Sequence, residues 1–446
     1  MSDNSSYFRV ELIDVKNIHL VNISKYLKIN FLISTGKTVV IALVSLLLLP
    51  LIIQRLGLNL FGVISLTLLF GEIASIVDFG LSKSIILLSG EKKLSENKVV
   101  TSALYINLLL ITILSIIFIV FQMLSIDLLG KNLNIPSNEK LILLNVGFLL
   151  LVVSMLNNSC RAILESNYLM HIINITYSIY TPLLYSIIFI ASFFTKNIIF
   201  YMITPLVLTL IMLLVNILII KEKTKIRFVK IKLINLKYVA KNTISFLKIE
   251  LINSMIIPVL RYVFVLLVAD IGLYAIFDLS FKIALLANSI IVSISIPMFA
   301  VFSNNAKKSK EMIRISFKIF GISLSFYFFM LLAFYFLGDF LILILDLSTE
   351  HKDLLYAITL ILLTSLGSVS VVEVFYRYFL GNNQLKKAFL LKLIIPIGSI
   401  IFFLIFKDFD LIYRFIYAYG ASLIASSILI LITFSLQSRP NPEVTV

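Results

Sequence analysis

Long apolar windows separated by short charged loops set the rhythm of this chain. A helix rising 1.5 Å per residue needs roughly 20 mostly apolar residues to cross a hydrocarbon layer. Windows of that kind fall near 30–53, 60–82, 99–122, 141–160, 172–195, 198–220, 245–268, 271–301, 315–338, 354–376, 387–406 and 412–436. In hydrocarbon no water is present to satisfy backbone N–H and C=O groups, so spans of this length are helical. The pattern predicts an all-α polytopic membrane protein with about twelve transmembrane helices. The largest break is KEKTKIRFVKIKLINLKYVAKNTISFLK, residues 221–248, with nine Lys and Arg, and it divides six windows from six. The predicted organisation is therefore a cytoplasmic segment 1–29, a six-helix bundle 30–220, a basic cytoplasmic linker 221–244, a second six-helix bundle 245–436 and a tail 437–446. The linker reads either as a solvated loop or as a basic segment lying on an anionic leaflet.

The two halves carry a faint echo. Leu60-Phe61-Gly62-Val63-Ile64 opens the second window, and Asp270-Ile271-Gly272-Leu273-Tyr274 opens the eighth in the same relation to its predecessor. Each leads a long span toward a basic pair, Lys92-Lys93 or Lys307-Lys308. Internal repeats of this kind are common in secondary transporters, whose substrate site lies between the repeats near the midplane.

Composition agrees: 60% of residues are hydrophobic and 14% charged, against roughly a quarter charged in soluble domains, and mean hydropathy is +1.07. If the N-terminus is inside, 27 of the 38 Lys and Arg fall on cytoplasmic segments and seven on the opposite loops. The positive-inside rule then places both termini in the cytoplasm. The net charge of +15 is thus a membrane-topology signal rather than a nucleic-acid one. The first thirty residues lack a long apolar core and cleavage site, so no signal peptide is expected. A single cysteine, Cys160, and three scattered histidines, His19, His171 and His351, offer no disulfide framework and no metal cluster.

The remaining four cations lie inside spans, where an ionisable group is costly and faces a partner or a wet cavity. Lys37 sits about 10 Å from the inner end of span one and Glu72 about 15 Å from the inner end of span two, by the helical rise. Those depths suggest a Lys37–Glu72 pair. Arg261 lies in span seven, and Asp278 and Lys282 form an i, i+4 pair on span eight. Lys392 reads as snorkelling to the inner interface, and Arg161 with Glu165 and Glu373 with Arg377 as interfacial ion pairs. The deep set is net positive, which suits an anionic passenger. Asn107, Asn145, Asn216, Asn253 and Asn288 are further polar positions, and Pro182, Pro205, Pro258, Pro297 and Pro396 are candidate kinks.

Arg55-Leu-Gly57, Phe61-Gly62-Val63 and Asp78-Phe-Gly80-Leu81, with Gly272-Leu-Tyr274-Ala and Ile296-Pro297 in the second half, resemble the Wzx-type polysaccharide flippases. These belong to the larger MOP superfamily, with the MATE exporters and lipid II flippases. The resemblance implies two pseudo-symmetric six-helix bundles that move an undecaprenyl-pyrophosphate-linked oligosaccharide across a bacterial inner membrane for O-antigen or capsule synthesis. It further implies Lys37, Arg261 and Lys282 as head-group residues, and Asp78 as a structural or gating acid. Its partners would be membrane lipids and the polymerase and chain-length proteins of the same pathway. No cofactor, metal or nucleic acid is expected, apart from H+ or Na+ taken up at Glu72 or Asp278 as a coupling cation.

The physics of such a task is coherent. Unpaired polar groups cost several kcal/mol each in hydrocarbon, and outward movement of a negative charge gains about 2.3 kcal/mol per 100 mV. No GxxxxGK[ST] loop is present to bind ATP. Two rivals stand beside this reading. A MATE-type multidrug exporter calls for an acid-rich cavity, and an integral-membrane polysaccharide polymerase for a sizeable outer loop; the longest here runs from about 123 to 140.

Overall fold

The computed structural model describes residues 23–438, apart from 79, 92–93, 125–134, 168, 225, 269, 296–297, 299–301, 303–308, 344, 346 and 383. Helices are α1 (Ile23–Val77), α2 (Leu81–Glu91), α3 (Glu96–Met123), α4 (Ser137–Ser166), α5 (Met170–Ala191), α6 (Ile198–Lys223), α7 (Leu233–Val268), α8 (Ile271–Ser295), α9 (Ser309–Leu343), α10 (Thr349–Gly381), α11 (Leu385–Ile405) and α12 (Leu411–Ser438). No strand occurs among the described residues. Ten helical stretches are long and apolar enough to cross a membrane, and the apolar part of α7, Pro258–Val268, is shorter. One of the ten runs through Gly57, whose φ of 79° breaks α1 into two arms. These arms correspond to the first two windows, so every window lies on a helix.

Boundaries differ in three places for local reasons. The fifth window closes early, because Ser192–Phe194 turn, with Ser192 donating back to the Phe189 carbonyl at 2.6 Å. The second is interrupted at Asp78-Phe79-Gly80, where Gly80 has a φ of 81° that only glycine adopts easily. Asp78 Oδ2 accepts the Ser82 N–H at 3.0 Å and so satisfies a donor at the start of α2. Third, residues 233–244 of the expected linker are helical and continuous with span seven. Asn235, Val239 and Thr243 are buried at four-residue spacing while Lys237 and Lys241 are exposed, so an amphipathic face docks. Val239 packs with Leu81, Ile85 and Leu88 of α2, and Thr243 Oγ1 donates to Ser84 Oγ at 3.1 Å. Pro297, Lys92-Lys93 and Lys307-Lys308 lie outside the described residues, as does the side chain of Asn253.

α4 is packed by α1, α2 and α6, α10 by α8, α9 and α12, and the two groups meet along α1 and α8. α3 and α9 show their apolar faces outward, with Ile116 57% and Phe336 74% exposed, the surface an acyl chain would cover. The main core runs through the seam, joining Phe61 and Ile64 to Phe264, Tyr274 and Phe277. There the Phe264 and Phe277 rings stack with centroids 4.1 Å apart.

The echoed motifs face each other across that seam. A Cβ on Gly62 would stand 2.4 Å from the Ile271 carbonyl oxygen, and one on Gly272 would stand 2.9 Å from Asn59 Oδ1. Glycine is required at Gly62 because backbone meets backbone. The contact closes the seam at the end of the bundle opposite the basic segment 221–232.

Candidate functional site

Next to this contact, toward the middle of the spans, lies a four-residue charge cluster. The Arg261 guanidinium donates through one nitrogen to Glu72 on the second arm of α1 and through the other to Asp278 on α8. Lys282, one turn beyond Asp278, pairs with its second oxygen at 2.7 Å and donates to Ser65 Oγ at 3.1 Å. Its ammonium also sits 5.2 Å from the Phe61 ring centroid. Arg261 is 1% exposed and Asp278 wholly buried, whereas 42% of the Glu72 side chain is open. Such buried ions persist only with near-complete pairing, since a lone one pays the full desolvation cost.

Five of the six sequence-predicted site residues were expected near one cavity, and four of them meet in this cluster. The suggested Lys37–Glu72 pair does not form: Glu72 turns to Arg261, and Lys37 donates to Asn174 Oδ1 at 3.4 Å. Arg261 faces two carboxylates, so it is not an open cationic lining group in this conformation. Asp78 is buried at the helix break and belongs to the backbone turn. Asp278–Lys282 is the ion pair its spacing suggested.

Three other expectations are settled by geometry. Glu373–Arg377 is paired at 3.2 Å. Lys392 does not snorkel, because Glu373 at 3.6 Å and the Tyr376 ring at 4.7 Å hold it inside. Arg161 does not pair with Glu165; its guanidinium stacks 4.3 Å from the Tyr177 ring centroid instead.

Glu72, Lys282 and Arg161 together open on a chamber of about 620 Å³ at the seam, within the 300–1,000 Å³ common for ligand sites. α1, α4, α5 and α6 supply most of the wall, and α7 and α8 add Pro258, Lys282 and Leu285. The wall is polar on the α4–α5 side, with Ser154, Asn157, Asn158, Tyr177, Tyr180 and Thr181. Asn216 Nδ2 donates to Asn157 Oδ1 at 2.6 Å, and Asn157 Nδ2 donates to the Tyr177 hydroxyl at 3.2 Å, which fixes that ring. Sequence reasoning missed Arg161, Tyr177, Asn157 and Ser65 as parts of the site. The polar run Asn157-Asn158-Ser159 beside Arg161, inside an apolar window, was the available signal.

No family model matches the sequence, and no curated protein matches it. Solved structures do. The lipid II flippase MurJ in an inward closed conformation superposes with a TM-score of 0.72 at 18% identity, over 92% of this chain and 88% of that one. The fold is that of the MATE and MurJ transporters. An inward-facing MATE multidrug resistance transporter of the MOP superfamily gives 0.67 at 14% identity, over 92% and 94%. A MOP superfamily transporter from Pyrococcus furiosus, described as having a binding pocket of reverse polarity, gives 0.62 at 15% identity, over 92% and 95%. The twelve-helix, two-group arrangement expected from the windows thus has solved counterparts over nearly the whole chain.

Proposed function

We propose that this chain is an alternating-access flippase for an oligosaccharide linked through pyrophosphate to a polyprenyl lipid. It would act in a bacterial inner membrane with both termini cytoplasmic, in the synthesis of O-antigen, capsule or a similar glycan. The observation that carries the reading is the chamber: a polar volume enclosed by apolar spans, placed at the seam between two repeats, where transporters of this architecture hold their cargo. Its amides, hydroxyls and aromatic faces match the hydrogen-bonding and stacking surfaces of a sugar. The interior cations, Lys37, Arg161, Arg261 and Lys282, outnumber the carboxylates Glu72 and Asp278, which favours an anionic cargo over a cationic drug.

The charge cluster supplies the alternation. Arg261 ties Glu72 of the first repeat to Asp278 of the second, and Lys282 reaches Ser65 across the same seam. Glu72, open to the chamber, is the carboxylate that a coupling proton or sodium ion reaches; Asp278 is sealed. Neutralising Glu72 frees one arm of Arg261 and loosens the seam.

The test is translocation in proteoliposomes loaded with a lipid-linked oligosaccharide, read by exposure of its sugars to an external lectin. The wild-type protein accelerates exposure, Arg261→Ala and Lys282→Ala abolish it, and Glu72→Gln removes its dependence on an ion gradient. Failure to move the glycan, combined with uptake of a cationic dye against an imposed gradient, would replace this reading with drug export.

A further inference from the structure

We infer that Lys37, Arg161 and Tyr177 form a binding site for a phosphoryl anion on the first-repeat wall of the chamber, distinct from the Arg261 cluster. This inference rests on the flippase reading for the identity of the cargo, though the site itself stands on geometry.

The contrast among interior cations carries the argument. Arg261 has two carboxylates and Lys282 has one, and Arg377 and Lys392 share Glu373. Lys37 and Arg161 have none among the described residues, and their side chains gather on a single aromatic ring. The Arg161 guanidinium is 4.3 Å and the Lys37 ammonium 5.8 Å from the Tyr177 centroid. Two like charges are therefore held within about 10 Å of each other in the interior of an apolar bundle.

Nor is this an accident of supply. Glu165 lies four residues along the same helix from Arg161, at the spacing where ion pairs ordinarily form, yet the guanidinium leaves it for the chamber wall. The only hydrogen bond Lys37 makes is to a neutral amide, Asn174 Oδ1, at a long 3.4 Å. The aromatic face lowers the cost of desolvating both cations without neutralising either one. Meanwhile Asn216 and Asn157 pin the Tyr177 hydroxyl, so the ring is a fixed platform.

A ligand that repays this arrangement carries at least two negative charges and several acceptor oxygens. Phosphoryl groups meet that need: guanidinium offers a planar fork of donors and ammonium a compact point charge. Two sources supply the chemistry here, the pyrophosphate of the cargo and the phosphate of a surrounding membrane lipid. The sugars beyond the pyrophosphate would then lie along Asn157, Asn158 and Tyr180.

The experiment titrates inorganic pyrophosphate into the full-length protein in phosphatidylcholine nanodiscs by calorimetry. Wild-type protein binds; Arg161→Gln and Lys37→Gln each weaken binding at least ten-fold, Arg161→Lys weakens it less, and Lys282→Gln changes it less than three-fold. Unchanged binding in both Arg161→Gln and Lys37→Gln, with thermal midpoints at the wild-type value, overturns the site. Equal loss in Lys282→Gln moves the anion to the charge cluster and also overturns it. Repeating the titration with phosphatidylglycerol in the disc separates the sources. Binding that survives assigns the site to the cargo, and binding that disappears assigns it to a membrane phospholipid and overturns the cargo assignment. Proteoliposome transport distinguishes the two layers of inference. Pyrophosphate binding without glycan movement defeats the flippase reading alone, whereas undiminished glycan movement in Arg161→Gln and Lys37→Gln defeats this site alone.

Discussion

Gly62→Ala tests whether the repeats open by parting at their echoed motifs. The added Cβ would lie 2.4 Å from the Ile271 carbonyl oxygen and 2.8 Å from Ile271 Cγ1. Ordinary contact begins near 3.4 Å, so backbone must withdraw from backbone by about 1 Å. Overpacking of that size costs about 1–3 kcal/mol, and only in the conformation where the two ends touch. The population of the parted conformation should rise by a factor of about 5–150. Gly272→Ala is the matched control: its Cβ meets only Asn59 Oδ1 at 2.9 Å and Asp270 Oδ1 at 3.2 Å, both ends of side chains that can rotate away. Spin labels on the exposed Asn138 and Asp408, one in each half at this end of the bundle, report the opening by pulsed electron resonance. The expected result is a long-distance component that grows in Gly62→Ala and stays near the wild-type level in Gly272→Ala. Identical distributions for wild type and Gly62→Ala, or equal growth in both variants, would refute the reasoning.

Other consequences can be measured directly. Asp278→Asn leaves Arg261 and Lys282 short of their shared carboxylate and should cost about 3–5 kcal/mol; Glu72→Gln, at the open edge of the cluster, should cost clearly less. Cys160 is the sole cysteine and is buried, so the temperature at which a thiol-reactive dye labels it ranks these variants, and equal midpoints would contradict the assigned burial. Arg261→Lys should behave like a loss of function, because one ammonium cannot reproduce a fork that spans Glu72 and Asp278; full glycan translocation by this variant would show that bridging is dispensable. Asp78→Ala should lower the same midpoint modestly, by about 1 kcal/mol, and leave pyrophosphate binding intact.

The fold was legible because hydrocarbon imposes one backbone solution, and window length alone then counts the crossings. What windows cannot register is where a helix bends at one residue, as at Gly57, or why 233–244 folds: its stripe of Asn235, Val239 and Thr243 is too polar to look apolar. The site was half legible. Depth along a span picked out Lys37, Glu72, Arg261, Asp278 and Lys282, but depth carries no azimuth, so it paired Lys37 with Glu72 although the two residues face different neighbours. Arg161 was obscured by Glu165, because an i, i+4 partner in sequence is an opportunity and Tyr177, sixteen residues on, proved the stronger attraction.

The interruption at Asp78–Gly80 divides one membrane crossing into two rods with different attachments. The rod 58–77 belongs to the seam core with α8, while α2 is clamped by α3, α4 and the docked turn around Val239. Where a helix is cut, its regular ladder of backbone bonds is already broken, so rotation between the rods sacrifices little. The pair works as a shaft with a universal joint: one end can swing sideways while the other stays bolted to its mounting, and torque from the moving half stops at the coupling.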